Sequence, residues 1–407
     1  MAKKKSSRST PKLAARYRDH QKAFDLVMDL MAIPGTSGEE AGVAEYIMKR
    51  LLKAGVDPKW IKQDTANQRT KLRGDSGNLI LKLPGNRPGP RRMLSAHMDT
   101  VPICVGCQPR LQGTYVDSSN PKTGLGADDR AGVAVILNAV LEILAKGIKH
   151  PPLTVCWFVQ EEIGLHGARA LSKGLLGNPK LAFNWDGGSP SKLTVGATGG
   201  YRIEINVNGL ASHAGGAPEK GVSAIAIASL AIADLCENGW HGDIHKSKKH
   251  GTSNVGIIHG GAATNVVTDH VFVRAEARSH DPKFRKQIVS AIEKAFKNAV
   301  KRVKNNEGKT GSVEINGSLD YEAFLLKADE LCVQVAQAAV ETLGREPLLA
   351  VANGGVDANW LYQHGIPAVT IGCGQRNAHM VTEALDLDDF FASCQVGLRL
   401  ATATEME

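Results

Sequence analysis

Two hydrophobic periodicities divide this chain of 407 residues, and one sheet cannot accommodate both. In the first half, short runs that are apolar at nearly every position occupy residues 78–83, 92–96, 153–159 and 181–185. Between and before them lie stretches with helical spacing, at 24–31, 41–54 and 131–145. Strands that are apolar on both faces belong to a largely parallel sheet covered on both sides. The pattern changes near Gly199: residues 201–207 and 271–278 alternate strictly, the mark of strands with one wet face. The order there is strand, helix 222–236, strand 254–258, strand 271–278, helix 282–303, strand 312–316, as in a small two-layer domain. After about residue 320 the first pattern resumes, with a helix at 327–342, a strand at 348–351, a helix from Ala358, a strand at 368–371 and a helix at 387–402.

The predicted class is therefore α/β, a mixed, largely parallel sheet with helices on both faces, interrupted by an inserted two-layer α+β domain. A chain of this length exceeds what one hydrophobic core supports. The expected division is a basic, disordered tail at 1–20, a main domain at 21–198 and 321–407, and the insertion at 199–320.

The net charge of +8 suggests nucleic acid until it is located. Residues 1–22 hold Lys3, Lys4, Lys5, Arg8, Lys12, Arg16, Arg18 and Lys22 against Asp19, so the rest of the chain is close to neutral. Such a segment reads as a solubilising arm, and no nucleic-acid partner is expected. No apolar run approaches the ~18 residues that span a bilayer, and no apolar core follows the basic start. Seven cysteines, odd in number and without paired spacing, point to reduced thiols. A cytoplasmic location and no membrane partner are expected. Cys104-Val-Gly-Cys107 has no second pair to complete a zinc knuckle and reads as loop structure.

The chemistry gathers where strands end. The strand at 92–96 runs into His97-Met-Asp99, and residues two apart on a strand face one side. Gly124-Leu-Gly-Ala-Asp128-Asp129 precedes a helix. Two carboxylates there would repel a phosphate, so this glycine loop suits a cation, with one aspartate left to cap the helix. The strand at 153–159 closes on Glu161-Glu162, the strand at 181–185 on Asp186, and His379 follows the strand at 368–371. Ligands of open α/β sheets bind at such carboxyl ends. Two histidines with five or more acids suit Zn²⁺, with Mn²⁺ or Co²⁺ as substitutes, and exceed what one structural zinc needs.

His97-Met-Asp99, Gly126-Ala-Asp128-Asp129, Glu161-Glu162-Ile-Gly164, Trp185-Asp186-Gly187 and His379, in this order, resemble the M20 metallopeptidases, with the peptidase T branch the nearest likeness. The resemblance covers essentially all of the chain after the basic tail. It implies a catalytic domain with two zinc ions and an inserted lid that forms a homodimer. His97, Asp128 and Asp186 would hold one zinc, and Asp128, Glu162 and His379 the other. Asp99 would orient His97, Glu161 would be the general base, and a cis peptide often joins the two aspartates. Arg130 departs from the lysine usual in the peptidase T pattern but keeps the charge.

In the lid, His213 of Ala211-Ser-His213-Ala-Gly resembles the histidine that enters a partner subunit's site and stabilises an oxyanion. Asn265 resembles the lid asparagine supporting that region, Arg278 the arginine that grips a substrate carboxylate, and Gly354-Gly355 the turn lining the substrate pocket. The activity so implied is removal of the N-terminal residue from short, tripeptide-like substrates by a hydroxide bridging the metals. The aspartate at position 186 accompanies aminopeptidase members of the family. The alternatives are an amidohydrolase acting on N-acyl or N-carbamoyl amino acids, a carboxypeptidase and, more remotely, a non-catalytic binding protein.

Overall fold

The computed structural model describes residues 13–403. They form two compact units, one taking in the chain up to Gly196, Leu325–Val351 and the residues from Val356 onward, the other Ala197–Phe324 and Ala352–Gly355.

The first unit is built on a mixed sheet whose strands run in the order Ile61–Gln63, Leu79–Leu83, Leu153–Phe158, Arg92–His97, Leu181–Trp185, Ala368–Ile371 and Lys192–Ala197. The middle four, from Leu153–Phe158 to Ala368–Ile371, are mutually parallel, so their carboxyl ends share one edge. Every residue of these four strands is buried, which requires cover on both faces. The helix Ala127–Lys146 packs on Arg92–His97 and against the helices Gln21–Met31 and Leu387–Thr402, while Leu331–Glu341 and Ala358–Gln363 pack on Leu181–Trp185 and Ala368–Ile371. Asp386 caps the helix Leu387–Thr402 by accepting from the Asp389 amide at 3.1 Å. A small antiparallel sheet, Gln375–Arg376, Ala384–Asp386, Tyr115–Ser118 and Pro109–Gln112, closes the loop that carries His379.

The second unit is an antiparallel sheet in the order Gly242–Lys246, Lys249–Gly260, His270–Ser279, Gly199–Asn208, Ser312–Tyr321. Alternation decides which face is buried: Ile203, Ile205 and Val207 on one strand and Val271, Val273, Ala275 and Ala277 on its neighbour form a core with Ile227, Phe284, Ile288 and Phe296 of two helices. Those helices, Ala224–Glu237 and Pro282–Arg302, start at Ser223 and Asp281, whose side chains accept from Ala226 and Lys283 amides.

Two expectations need correction. The strand read at 254–258 is the middle of a longer one paired across a two-residue turn with Gly242–Lys246. The charged sequence His245-Lys-Ser-Lys-Lys-His250 hid that hairpin, and Ser247 at its turn has φ +57°. The tail expected to be disordered over 1–20 is ordered from Ala15, where Ala15–His20 forms a helical turn. Tyr17 is buried, donates to Asp388 at 2.5 Å and lies 5.0 Å from the Phe391 ring, and His20 stacks on the same ring. Lys3, Lys4, Lys5, Arg8 and Lys12 lie outside the described residues. Among the described residues no helix is long and apolar enough to cross a membrane.

Candidate metal centre

The shared edge of the four parallel strands brings together side chains up to 282 positions apart in sequence, from His97 to His379. Asp128 stands between the two histidines: its Oδ1 is 3.1 Å from His97 Nε2 and its Oδ2 is 3.3 Å from His379 Nε2. Glu162 Oε2 lies 3.0 Å from the same His379 nitrogen. Ligand atoms of His97, Asp128 and Glu162 all fall within 4.8 Å of one another. Glu161 Oε2 reaches within 3.9 Å of His97 Nε2. Asp186 follows the strand Leu181–Trp185, and the Asp128 charge acts directly on its carboxyl.

Backbone geometry aims these groups. Asp128 and Asp129 depart from helical angles at the start of the helix Ala127–Lys146, and the bond between them is cis. The two aspartates divide the work. Asp128 faces the histidines, whereas Asp129 turns back, accepting from the amides of His97 at 3.1 Å and Gly132 at 3.2 Å and from Gln375 Nε2 at 2.9 Å. A Cβ at position 132 would come within 2.5 Å of the Asp129 carboxylate, so this fold-back requires glycine. His379 has φ +65°, unusual for a residue with a side chain.

Asp99 splices two strand ends. Its carboxylate accepts from Ser37 Oγ at 2.6 Å and from the amides of Glu161 and Glu162 at 3.0 and 3.1 Å. His97 Nδ1 is 3.1 Å from the Asp99 main-chain oxygen and 3.4 Å from its carboxylate, so both groups orient the ring. Arg130 is buried and donates to the Gly35 carbonyl at 3.1 Å.

Sequence reasoning missed three buried acids. Glu383 gathers the amides of Leu125 and Gly126 at 2.7 Å and of Asp128 at 3.0 Å, fixing the loop that presents Asp128. Glu40 accepts from the amides of Gly38 and Gln160, each at 2.9 Å. Asp357 is buried with both carboxylate oxygens unpartnered. The one available signal for Glu383 is its place four residues after His379, and for Asp357 its place two residues after the Gly354-Gly355 turn.

The electrostatics are those of too many acids in too little water. Desolvation, then the charges of Asp357, Asp186 and Glu162 against the opposing pull of His97, pushes Glu161 well above the ordinary carboxylate range. Desolvation and the Asp128 charge raise Asp186 to about 7. Burial opposes the charge on His97, but hydrogen bonds to Asp128 and Asp99 outweigh it and hold the imidazole well above its usual value. Hydrogen bonds to Asp128 and Glu162 raise His379 to about 10. Two imidazoles and a bridging-type carboxylate, amid surplus buried acid, fit divalent cations: Asp128 offers one oxygen to each side, and added positive charge relieves the repulsion. Burial instead pushes the thiols of Cys104 and Cys107 up, the latter to about 11. Their motif closes a turn through a 3.1 Å hydrogen bond from the Cys107 amide to the Cys104 carbonyl.

The remaining predicted residues lie in the second unit. His213 Nδ1 accepts from the amides of Gly215 and Gly216 at 3.1 and 2.9 Å, which puts its proton on Nε2. The Ala214 amide donates to the Asn265 carbonyl at 2.9 Å, so Asn265 adjoins the histidine. Arg278 forks onto Glu276 with two 2.9 Å bonds. Gly354 faces open space, while a Cβ on Gly355 would strike the Tyr321 ring at 2.5 Å.

Known proteins share this fold. A tripeptidase of Staphylococcus aureus subsp. aureus Mu50 superposes with a TM-score of 0.84 at 28% identity, over 95% of this chain and 99% of its own. The aminopeptidase PepT of Bacillus cereus ATCC 10987 gives a TM-score of 0.79 at 31% identity, over 94% and 98%. A probable carboxypeptidase of Talaromyces marneffei is 30% identical over 330 residues, 75% of this chain and 72% of the relative. The model of peptidase family M20/M25/M40 matches residues 93–403, which include every strand-end residue described above, and the chain belongs to that peptidase family.

Proposed function

We propose that this peptidase removes the N-terminal residue from short peptides, tripeptides foremost, at a centre of two zinc ions, for which Mn²⁺ or Co²⁺ can substitute. His97, Asp128 and Asp186 hold one ion and Asp128, Glu162 and His379 the other. The observation that carries this reading is Asp128, whose two oxygens face two different imidazoles. Bound cations supply a water of lowered pKa and polarise the scissile carbonyl. Their charge would also favour the ionised form of Glu161, against the burial that pushes its carboxyl up. Glu161 takes the proton of the attacking water and returns it to the leaving nitrogen. Asp99 keeps Glu161 in reach through its amide while orienting His97.

His213, with its proton on Nε2, enters the site of the partner subunit and donates there to the developing oxyanion. Arg278 exchanges Glu276 for the C-terminal carboxylate of the peptide. Asn265 supports His213, and Gly354 and Gly355 line the substrate pocket. The active form is a homodimer through the second unit, and Leu210, Ile225, Ile257, Ile258 and Val266 expose apolar surface there. All seven cysteines are free, as a cytoplasmic setting requires.

Tri-alanine, its N-acetylated form and an N-acetyl amino acid test the specificity. Release of free alanine from unblocked tri-alanine alone is expected. Hydrolysis confined to the blocked substrates would instead support a carboxypeptidase or deacylase, the reading favoured by the carboxypeptidase relative.

A further inference from the structure

A second cluster of metal-ligating side chains lies on the hairpin Gly242–Lys246/Lys249–Gly260, at the edge of the second unit's sheet. His245 and His250 are direct partners across the two strands, and Asp243 precedes His245 by two, so all three side chains project from one face. That face is the one turned from the helices: Ile244, on the opposite side, joins the buried core, and Lys249 reaches Gln287 of the helix Pro282–Arg302. Lys246 also leaves the cluster's face, with its ammonium over the Trp240 ring. The strand alternation thus keeps two of the hairpin's three lysines away from the cluster; Lys248 stays at the turn.

The three groups are already arranged around one point. His245 Nε2 lies 2.9 Å from Asp243 Oδ2 and His250 Nε2 lies 2.7 Å from Asp243 Oδ1. The two rings stack with centroids 4.6 Å apart. One ligand atom from each residue falls within 4.8 Å of the others. Two imidazole nitrogens and one carboxylate form half of an octahedral shell or three corners of a tetrahedral one, with water completing it. We infer that Asp243, His245 and His250 form a binding site for one divalent transition-metal ion of the imidazole-preferring class, Zn²⁺ or Cu²⁺, separate from the catalytic centre. The ion cross-links the two strands of the hairpin. Because the ligands are solvent-exposed, it exchanges readily.

The test uses the full chain with its catalytic centre loaded. Calorimetric titration with Zn²⁺ is expected to give one equivalent more for the wild type than for the double variant His245→Ala/His250→Ala. Asp243→Asn should weaken that equivalent by about tenfold or more. With Cu²⁺, the wild-type electron paramagnetic resonance spectrum should show nitrogen coupling from two imidazoles that the double variant lacks. Hydrolysis of tri-alanine should be the same in all three proteins, since none of these residues belongs to the catalytic machinery. Equal metal uptake by wild type and double variant, or no additional equivalent in either, would overturn the proposal.

Discussion

Two clusters in this molecule gather imidazoles around an aspartate, and they differ in almost everything else. At the strand ends, Asp128 meets His97 and His379 in the company of Glu161, Glu162, Asp186 and Asp357, and desolvation raises all four of those neighbours. On the hairpin, Asp243 meets His245 and His250 in open water, and hydrogen bonds from those two histidines lower its carboxyl. Burial is what separates them. A buried excess of acid is costly unless protons or cations neutralise it, so the strand-end cluster needs compensation to work at neutral pH. The hairpin cluster is already solvated and balanced, and a metal there adds a clip rather than a requirement.

The sharpest way to break the comparison is to remove the aspartate from each cluster. Asp128→Ala should lower metal content by more than one equivalent per chain and turnover by on the order of a thousandfold or more. Asp243→Ala should leave turnover unchanged. Metal analysis with steady-state kinetics on tri-alanine checks both, and equal effects would erase the distinction.

A smaller effect is expected one layer out. Glu383→Ala frees three amides of the Leu125–Asp128 loop and should weaken metal binding by roughly 10- to 100-fold, read by competition with a chelator. Unchanged metal affinity would mean that the loop needs no such anchor.

The excess of acid should also be visible in stability. Burial and the Asp99 charge push Glu40 up to about 7, and burial raises Asp357 to about 8. Unfolded, both ionise near about 4. The folded state therefore binds more protons between these limits, and stability is fully present below about pH 4 and lost as pH rises through about 7 to 8. Metal-depleted protein should show this decline in denaturant midpoints measured from pH 5 to 9. Asp357→Asn should flatten it by on the order of 1–3 kcal/mol. An unchanged slope would contradict the assignment.

Smaller still is the contribution of the N-terminal turn. Tyr17→Ala should cost roughly 1–3 kcal/mol through lost packing on Phe391 and leave turnover intact. Removing residues 1–12 should alter neither.

What could be read from the sequence followed period and position. Strands buried on both faces and strands wetted on one leave different traces, so the fold class was legible, as were the strand-end residues His97, Glu161, Glu162 and Asp186. The hairpin Gly242–Lys246/Lys249–Gly260 was not, because histidine and aspartate fill its outward face, lysines surround its turn, and the segment carries no apolar alternation. Tyr17 was masked by the basic residues around it, since charge density says nothing about one ring finding a pocket. Glu383 and Asp99 act by collecting backbone amides from segments remote in sequence, a role without local spacing. Asp128 and Asp129 were legible as a pair, one suited to a cation and one to capping the helix; in the structure Asp128 lies beside the two histidines and Asp129 accepts from the Gly132 amide.

Glu161→Gln bears most directly on the central claim that a buried glutamate moves the proton at a centre of two metals. The change keeps the shape of the side chain and removes its basicity. Metal content and turnover on tri-alanine should be measured on the same preparation. Two equivalents of metal per chain with turnover reduced by on the order of a thousandfold or more is the predicted result. Normal turnover with both metals in place would contradict it.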